Sequence, residues 1–351
     1  MKSVARMELQ PGMILGEDVI VNDNVLLKAG TTITNYNIEL LVRYAVMCVT
    51  IMDDIDLAKT HFEKLRFSEE FKAFEQKHNA SLFLYKAQME YFLSDVSEAP
   101  TEILLKIYNN LRSTYQTSAQ LLDYLYNLIP NSDQLTYNHC LNSALLGGLF
   151  AEWLHMNNNE KETLILSCFF YDIGKLRLPY QILWKSGRLT DDEYELVKKH
   201  PVIGYSILSN CKSINQHIKN ATIMHHERMN GTGYPYHMSG DKIDIYARYL
   251  SIIDTYIAMT SPRTYRDAYT PLQIIEHFED NMDAYDSSLV IPLLTHIADS
   301  QIGLNIQLSD NSIWEVMLTN PAKLSRPILK NEKGEILYLS HKPELKVVKN
   351  L

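Results

Sequence analysis

No stretch of this 351-residue chain approaches the roughly 20 uncharged apolar residues that a membrane-spanning helix needs, so a helical membrane protein is not expected. The opening MKSVARMELQPGM has no long apolar core, so a signal peptide is not expected either. Cysteine is sparse: Cys48, Cys140, Cys168 and Cys211 stand far apart, with no CxxC pair. That pattern disfavours thiolate metal ligation and suits reduced, buried thiols in a cytoplasmic protein. There is no repeat and no low-complexity tract. Positive charge is not in excess: 33 Lys and Arg against 42 Asp and Glu leave a formal net charge of −9. This argues against broad, sequence-independent nucleic-acid binding and leaves room for a small basic pocket. What remains, 46% hydrophobic and 21% charged, is ordinary globular composition, long enough for two or three domains.

Residues 1–54 read as a small mixed α/β module. Pro11-Gly12 and Asn22-Asp23-Asn24 are turn signals, with β-prone Glu17–Val21 between them. Thr34 is placed to cap a helix running to Tyr44, and Val46–Met52 reads as a buried strand. Residues 55–130 carry helical spacing, with Leu104, Ile107, Tyr108 and Leu111 on one face, and read as bundle core. Residues 131–290 are again mostly helical. Residues 300–351 shift to short alternating segments with a hairpin turn at Lys333-Gly334, a β-rich end. The fold class expected is mainly α.

The chemistry concentrates in residues 131–290. His139 sits near the start of a helix with Leu141, Ala144, Leu145 and Leu149 on one side. Asn159 and Glu162 have capping-box spacing ahead of an apolar helix that runs to Tyr171-Asp172, with Gly174 as a stop signal. A carboxylate ending so apolar a helix is costly to bury unpaired, and a nearby cation removes that cost. Thr190–Glu193 is a capping box before a helix containing Tyr194, Val197 and His200, with His200 at a helix end before Pro201. His225-His226-Glu227 follows, then a glycine-rich turn through Gly233-Tyr234-Pro235. Adjacent histidines on a helix point about 100° apart, so two neighbouring metals share such a pair more easily than one. Asp254 ends the apolar run Leu250–Ile253. Taken singly, each has an ordinary reading: a core histidine, a surface carboxylate, a solvated helix end, an N-cap. Five segments each presenting His or Asp weaken those readings together. Mixed imidazole and carboxylate donors suit Fe, Mn or Zn rather than Mg or Ca. Two such cations about 3.5–4 Å apart serve phosphodiester hydrolysis.

The string YDIGKLRLPYQILWKSGRLTDDEYELVKKHPVIGYSIL, then HHERMNGTGYP, then TSPRTYR, closely resembles the HD-GYP family of HD-domain phosphohydrolases over residues 131–290. The N-terminal LQPGMILGEDV and LLKAGTTIT segments look like a module often found ahead of such domains. The resemblance implies hydrolysis of the bacterial second messenger cyclic di-GMP in signal transduction. By position it implies one metal on His139, Asp172 and Asp254, and a second on His200, His225 and His226, with Asp172 bridging. Lys175 would contact the scissile phosphate, Gly233, Tyr234 and Pro235 would shape the nucleotide loop, and Arg263 and Arg266 would meet phosphates. The implied cofactor is a binuclear Fe or Mn centre, with Zn as an alternative. A diguanylate-cyclase-type partner domain and a homodimer are also implied.

Three positions depart from the family pattern. Tyr171 stands where the leading metal histidine belongs, and a neutral phenol is a poor ligand for a divalent cation, although a phenolate binds ferric iron. Leu135 occupies the place of a glutamate that supports a third metal in some members, and Ile257 the place of a frequent aspartate. The expectation is a cyclic di-GMP phosphodiesterase, slowed by one weak metal site. The alternative is a degenerate domain that senses the dinucleotide or docks a partner.

Overall fold

The computed structural model describes residues 1–22, 24–53, 58, 60–96, 98–128, 134–183, 185, 187–261 and 268–351. The chain is mainly helical with small sheets near both ends, and it divides into two compact units, Met1–Phe71 and Lys72–Leu351.

In the first unit, β1 (Lys2–Ala5) pairs antiparallel with β4 (Cys48–Ile51), and β2 (Val19–Val21) with β3 (Asn24–Leu27). Helix α1 (Asn35–Arg43) starts at Thr34, which closes a capping box with Asn37. Val4, Leu15, Ile33, Leu41 and Ile51 fill its core. Cys48 is exposed, contrary to the expectation that all four thiols are buried. The strand alternation turns Val49 and Ile51 inward and Cys48 outward. Helix α2 (His61–Phe67) follows.

Helix α3 (Glu69–Ser94) leads into α4 (Thr101–Arg112) and α5 (Ser118–Asn127). The sequence-predicted face Leu104, Ile107, Tyr108 and Leu111 is buried. At the centre lie α6 (Leu135–Trp153) and α7 (Asn158–Phe170). Both are apolar almost all round, as helices enclosed by others must be. The capping box of α7 is Asn157 with Glu160, two residues before the pair expected from sequence. Three consecutive asparagines offer competing caps, and the earliest one that meets a glutamate wins.

Short α8 (Tyr180–Leu183) and α9 (Asp191–Val197) precede α10 (His200–Ser209) and α11 (Gln216–Met224). The Thr190 and Glu193 capping box forms. His200 does not close that helix but opens the next, because Pro201 fits a first helical turn, where no intrahelical N–H bond is lost. Helix α12 (Ile245–Thr260) carries Asp254 in its interior, so the carboxylate neither ends the run nor caps a helix. Helices α13 (Pro271–Asp280) and α14 (Ser287–Asp299) lead to a five-stranded antiparallel sheet. Its strands are β5 (Asn305–Leu308), β6 (Ile313–Leu318), β7 (Ile328–Lys330), β8 (Ile336–Tyr338) and β9 (Val347–Asn350), in the order β8-β7-β6-β5-β9. Gly334 makes the β7–β8 turn at φ 81°. Arg326 fastens the sheet to α13 through Glu276 at 3.0 Å. No helix among the described residues is long and apolar enough to cross a membrane.

Gly174 is a packing residue rather than a helix stop. A Cβ there would overlap the carbonyl of His200 and approach the Gly204 amide at 2.7 Å, so the missing side chain lets α10 lie against the turn after α7. Gly174→Ala should lower unfolding free energy by about 1–3 kcal/mol, the usual cost of overpacking. Urea titration checks this, and a variant as stable as the parent would refute the contact. His78 on α3 gives a pH signature. It is buried against Asn142 of α6 at 2.7 Å, and burial pushes its pKa down to about 4. The unfolded chain therefore binds this proton first, and stability should fall as pH drops from about 6.5 toward 4. His78→Gln keeps a polar partner for Asn142, and its stability should depend less steeply on pH in that window.

Candidate metal centre

Five segments converge. Helix α6 brings His139. The end of α7 brings Tyr171 and then Asp172, which opens a 3-10 turn that also holds Lys175. Helix α10 starts with His200, α11 ends at His225 and His226, and α12 brings Asp254. These residues form two groups, His200 with His225 and His226, and His139 with Asp172 and Asp254. Within each, one donor atom per residue lies within 4.8 Å of the others.

The first group is a cluster of lone pairs. The Nδ1–H of His200 donates to the Val197 carbonyl at 2.7 Å, and that of His225 to the Thr222 carbonyl at 2.8 Å. A carbonyl can only accept, so a ring that carries one proton keeps its lone pair on Nε2. The two Nε2 atoms face each other at 3.2 Å. Burial holds His200 below the usual imidazole pKa, and burial followed by the neighbouring His225 holds His226 well below it. Both rings therefore stay neutral. Backbone-fixed Nδ1 with Nε2 free is how metal-ligating histidines are oriented.

Asp172 completes the picture. It is fully buried, and its Oδ2 accepts from Lys175 Nζ at 2.6 Å. Among the described residues its Oδ1 has no hydrogen-bond donor. His200 Nε2 lies 3.2 Å from that oxygen and His225 Nε2 3.7 Å. Burial opposes the charge, yet the Lys175 ammonium beside it holds the carboxyl well below its ordinary range. An ionised oxygen and two imidazole lone pairs, all buried and all acceptors, repel unless a cation sits among them. The donor set therefore fits a metal.

The second group is tied up by protons. His139 Nε2 and Asp254 Oδ1 are 2.8 Å apart. The Tyr171 hydroxyl donates to the same oxygen at 3.3 Å and lies 3.1 Å from Ser143 Oγ. Burial, then the charges of Asp254 and Asp172, push this phenol well above its normal pKa of 10, so it is neutral. Tyr171 thus spends its proton on Asp254, one of the candidate donors.

The Gly233-Tyr234-Pro235 string lies against the paired histidines. A Cβ on Gly233 would overlap the His226 carbonyl and the Glu227 backbone. The Tyr234 ring stacks on His226 with centroids 4.6 Å apart, and its amide donates to the His226 carbonyl at 3.2 Å. Arg263 and Arg266 lie outside the described residues. Ile257 is buried. Leu135 lines a cavity of about 520 Å³ with Leu176, Arg177 and Tyr180.

Sequence reasoning missed two supports. Glu227 is buried, and its two oxygens accept the Tyr236 amide at 2.7 Å and the Met238 amide at 2.9 Å. Ser143, one turn after His139, positions the Tyr171 hydroxyl. The His-His-Glu string contained the first signal, but nothing in the sequence marked the loop amides it would hold.

Residues 123–289 match the family model described as the HD domain. The chain is 28% identical over 202 residues to the cyclic di-GMP phosphodiesterase PA4108 of Pseudomonas aeruginosa, a match covering 58% of this chain and 49% of that one. It is 29% identical over 196 residues to the 3'3'-cGAMP-specific phosphodiesterase 2 of Vibrio cholerae, covering 56% and 38%. The chain thus spans half or less of these relatives' length. The fold is similar to that of Bd1817, a HDG"Y"P protein from Bdellovibrio bacteriovorus, at TM-score 0.52 and 15% identity, covering 84% of this chain and 99% of that one. These matches make the chain similar to HD-domain phosphodiesterases, and the strings at the site resemble those of the HD-GYP family.

Glu227→Ala should release the loop amides and cost about 1.5–3 kcal/mol, the usual worth of hydrogen bonds to a charged group. Hydrogen exchange at residues 236 and 238 should rise with it. Unchanged exchange and stability would mean that the carboxylate does not hold the loop.

Proposed function

We propose that this chain is a metal-dependent phosphodiesterase that hydrolyses cyclic di-GMP. The observation that carries the reading is the Oδ1 of Asp172, buried without a donor among the described residues and facing two imidazole lone pairs. His200, His225 and His226 would hold one cation and His139, Asp172 and Asp254 the other, with Asp172 shared. Imidazole and carboxylate together favour Fe or Mn, with Zn as an alternative. Such a pair supplies an activated water and stabilises the leaving oxygen of the phosphodiester.

The protein's own groups do the rest. Lys175 balances the Asp172 charge and offers an ammonium beside the metal ligands for a non-bridging phosphate oxygen. Tyr234 holds the His226 ring in place by stacking. Gly233 lets the loop backbone close over the histidine pair. Arg263 and Arg266, from the family motif, would meet the phosphates. The relatives' names include enzymes for cyclic di-GMP and for 3'3'-cGAMP, so the substrate class is a cyclic dinucleotide, with cyclic di-GMP the named proposal. A cytoplasmic location and a diguanylate-cyclase-type partner belong to the same reading.

One observation favours a second reading, a degenerate dinucleotide sensor or docking module. The neutral Tyr171 hydroxyl is satisfied by Asp254 and Ser143, which leaves the His139 side of the centre in need of no metal.

Tyr171→His separates the two. Loss of even a supporting contact costs roughly 10–100-fold in metal affinity or activity, so restoring a direct imidazole ligand should gain at least that order. Metal per chain and cyclic di-GMP turnover should both rise. A folded variant that binds no more metal and turns over no faster would mean that Tyr171 is not the limiting defect.

A further inference from the structure

Helix α3 buries Phe74, His78, Leu82, Tyr85, Met89 and Phe92 along one side. Its opposite side mixes polar residues such as Gln76, Lys77, Asn79 and Glu90 with large apolar ones. Phe83 and Tyr91 are 72% and 73% exposed, and Leu84 is 43% exposed. Exposed Ala73, Ala80 and Ala87 recur at every seventh position beside them. A seven-residue repeat keeps small residues on one seam, where a second helix can approach closely. Large apolar side chains left in water on so regular a seam mark an interaction surface.

The seam is symmetric about the point between Phe83 and Leu84. Ala80 and Ala87 lie equally far on either side of it, as do Lys77 and Glu90, and Ala73 and Ser94. We propose that this face pairs with the same face of a second copy of this chain, the two helices antiparallel about a two-fold axis at that point. Such an interface is self-complementary, as two-fold symmetry requires. It sets Ala80 near Ala87 of the partner subunit and Phe83 near Leu84 of the partner subunit. Lys77 and Glu90 each lie about 10 Å along the helix from the axis, so each Lys77 meets Glu90 of the partner subunit. A parallel pair would instead leave Lys77 and Glu90 about 20 Å apart along the helices and unpaired with each other. Charge therefore selects the antiparallel arrangement and favours an identical partner over an unrelated one.

Sedimentation equilibrium of the full chain tests this. The chain should dimerise, and Leu84→Glu should raise the dissociation constant on the order of tenfold or more by placing two like charges at the axis. Leu84 is exposed, so far-UV circular dichroism of the variant at monomeric concentrations should match the parent. Lys77→Glu and Glu90→Lys should each weaken the dimer, and the double variant should recover it. A chain that stays monomeric at all accessible concentrations, a dimer indifferent to Leu84→Glu, or a double variant no better than the singles would each overturn the proposal.

Discussion

The candidate centre depends on one buried carboxylate. Asp172 is fully enclosed, Lys175 neutralises one of its oxygens, and the other is left to two imidazoles that cannot donate to it. A bare carboxylate oxygen in such a place is expensive, and the fold goes to some length to create it. Two apolar helices bury the turn, and Gly174 admits α10 close enough to deliver His200. Backbone carbonyls of Val197 and Thr222 then fix the tautomers of His200 and His225. A cation among these acceptors would remove that cost.

Tyr171 divides the centre into unequal halves. On the side built from His200, His225 and His226, backbone carbonyls take the Nδ1 protons of His200 and His225 and leave their Nε2 atoms facing Asp172. On the other side, the phenol proton and the His139 pairing occupy Asp254 Oδ1. By the family pattern, Tyr171 would stand in place of an imidazole, and its hydroxyl supplies a competing donor. A weakened first metal is the common ground of the enzyme and sensor readings. They differ only in whether the remaining machinery suffices for turnover.

Much of this was legible in the sequence because motif residues carry their geometry locally. The His200, His225-His226 and Tyr171-Asp172 strings each sit at a helix terminus or turn, and capping chemistry locates such points. The caps expected at Thr34 and Thr190 both form. Where caps compete, as at Asn157–Asn159, the register slipped by two residues. His200 was assigned to the wrong helix because a proline fits equally after one helix and inside the first turn of the next. Asp254 was read as terminal because a carboxylate inside an apolar helix makes sense only once its partners across space are known. The roles of Gly174, Glu227 and Ser143 were invisible for the same reason. Each acts on a segment distant in sequence.

The most direct test of the central claim is anomalous diffraction from crystals grown with Fe or Mn under anaerobic conditions. The account predicts a peak within coordinating reach of His200 Nε2, His225 Nε2 and Asp172 Oδ1, and a weaker one beside His139 and Asp254. Well-ordered side chains at those positions with no peak among them would contradict it.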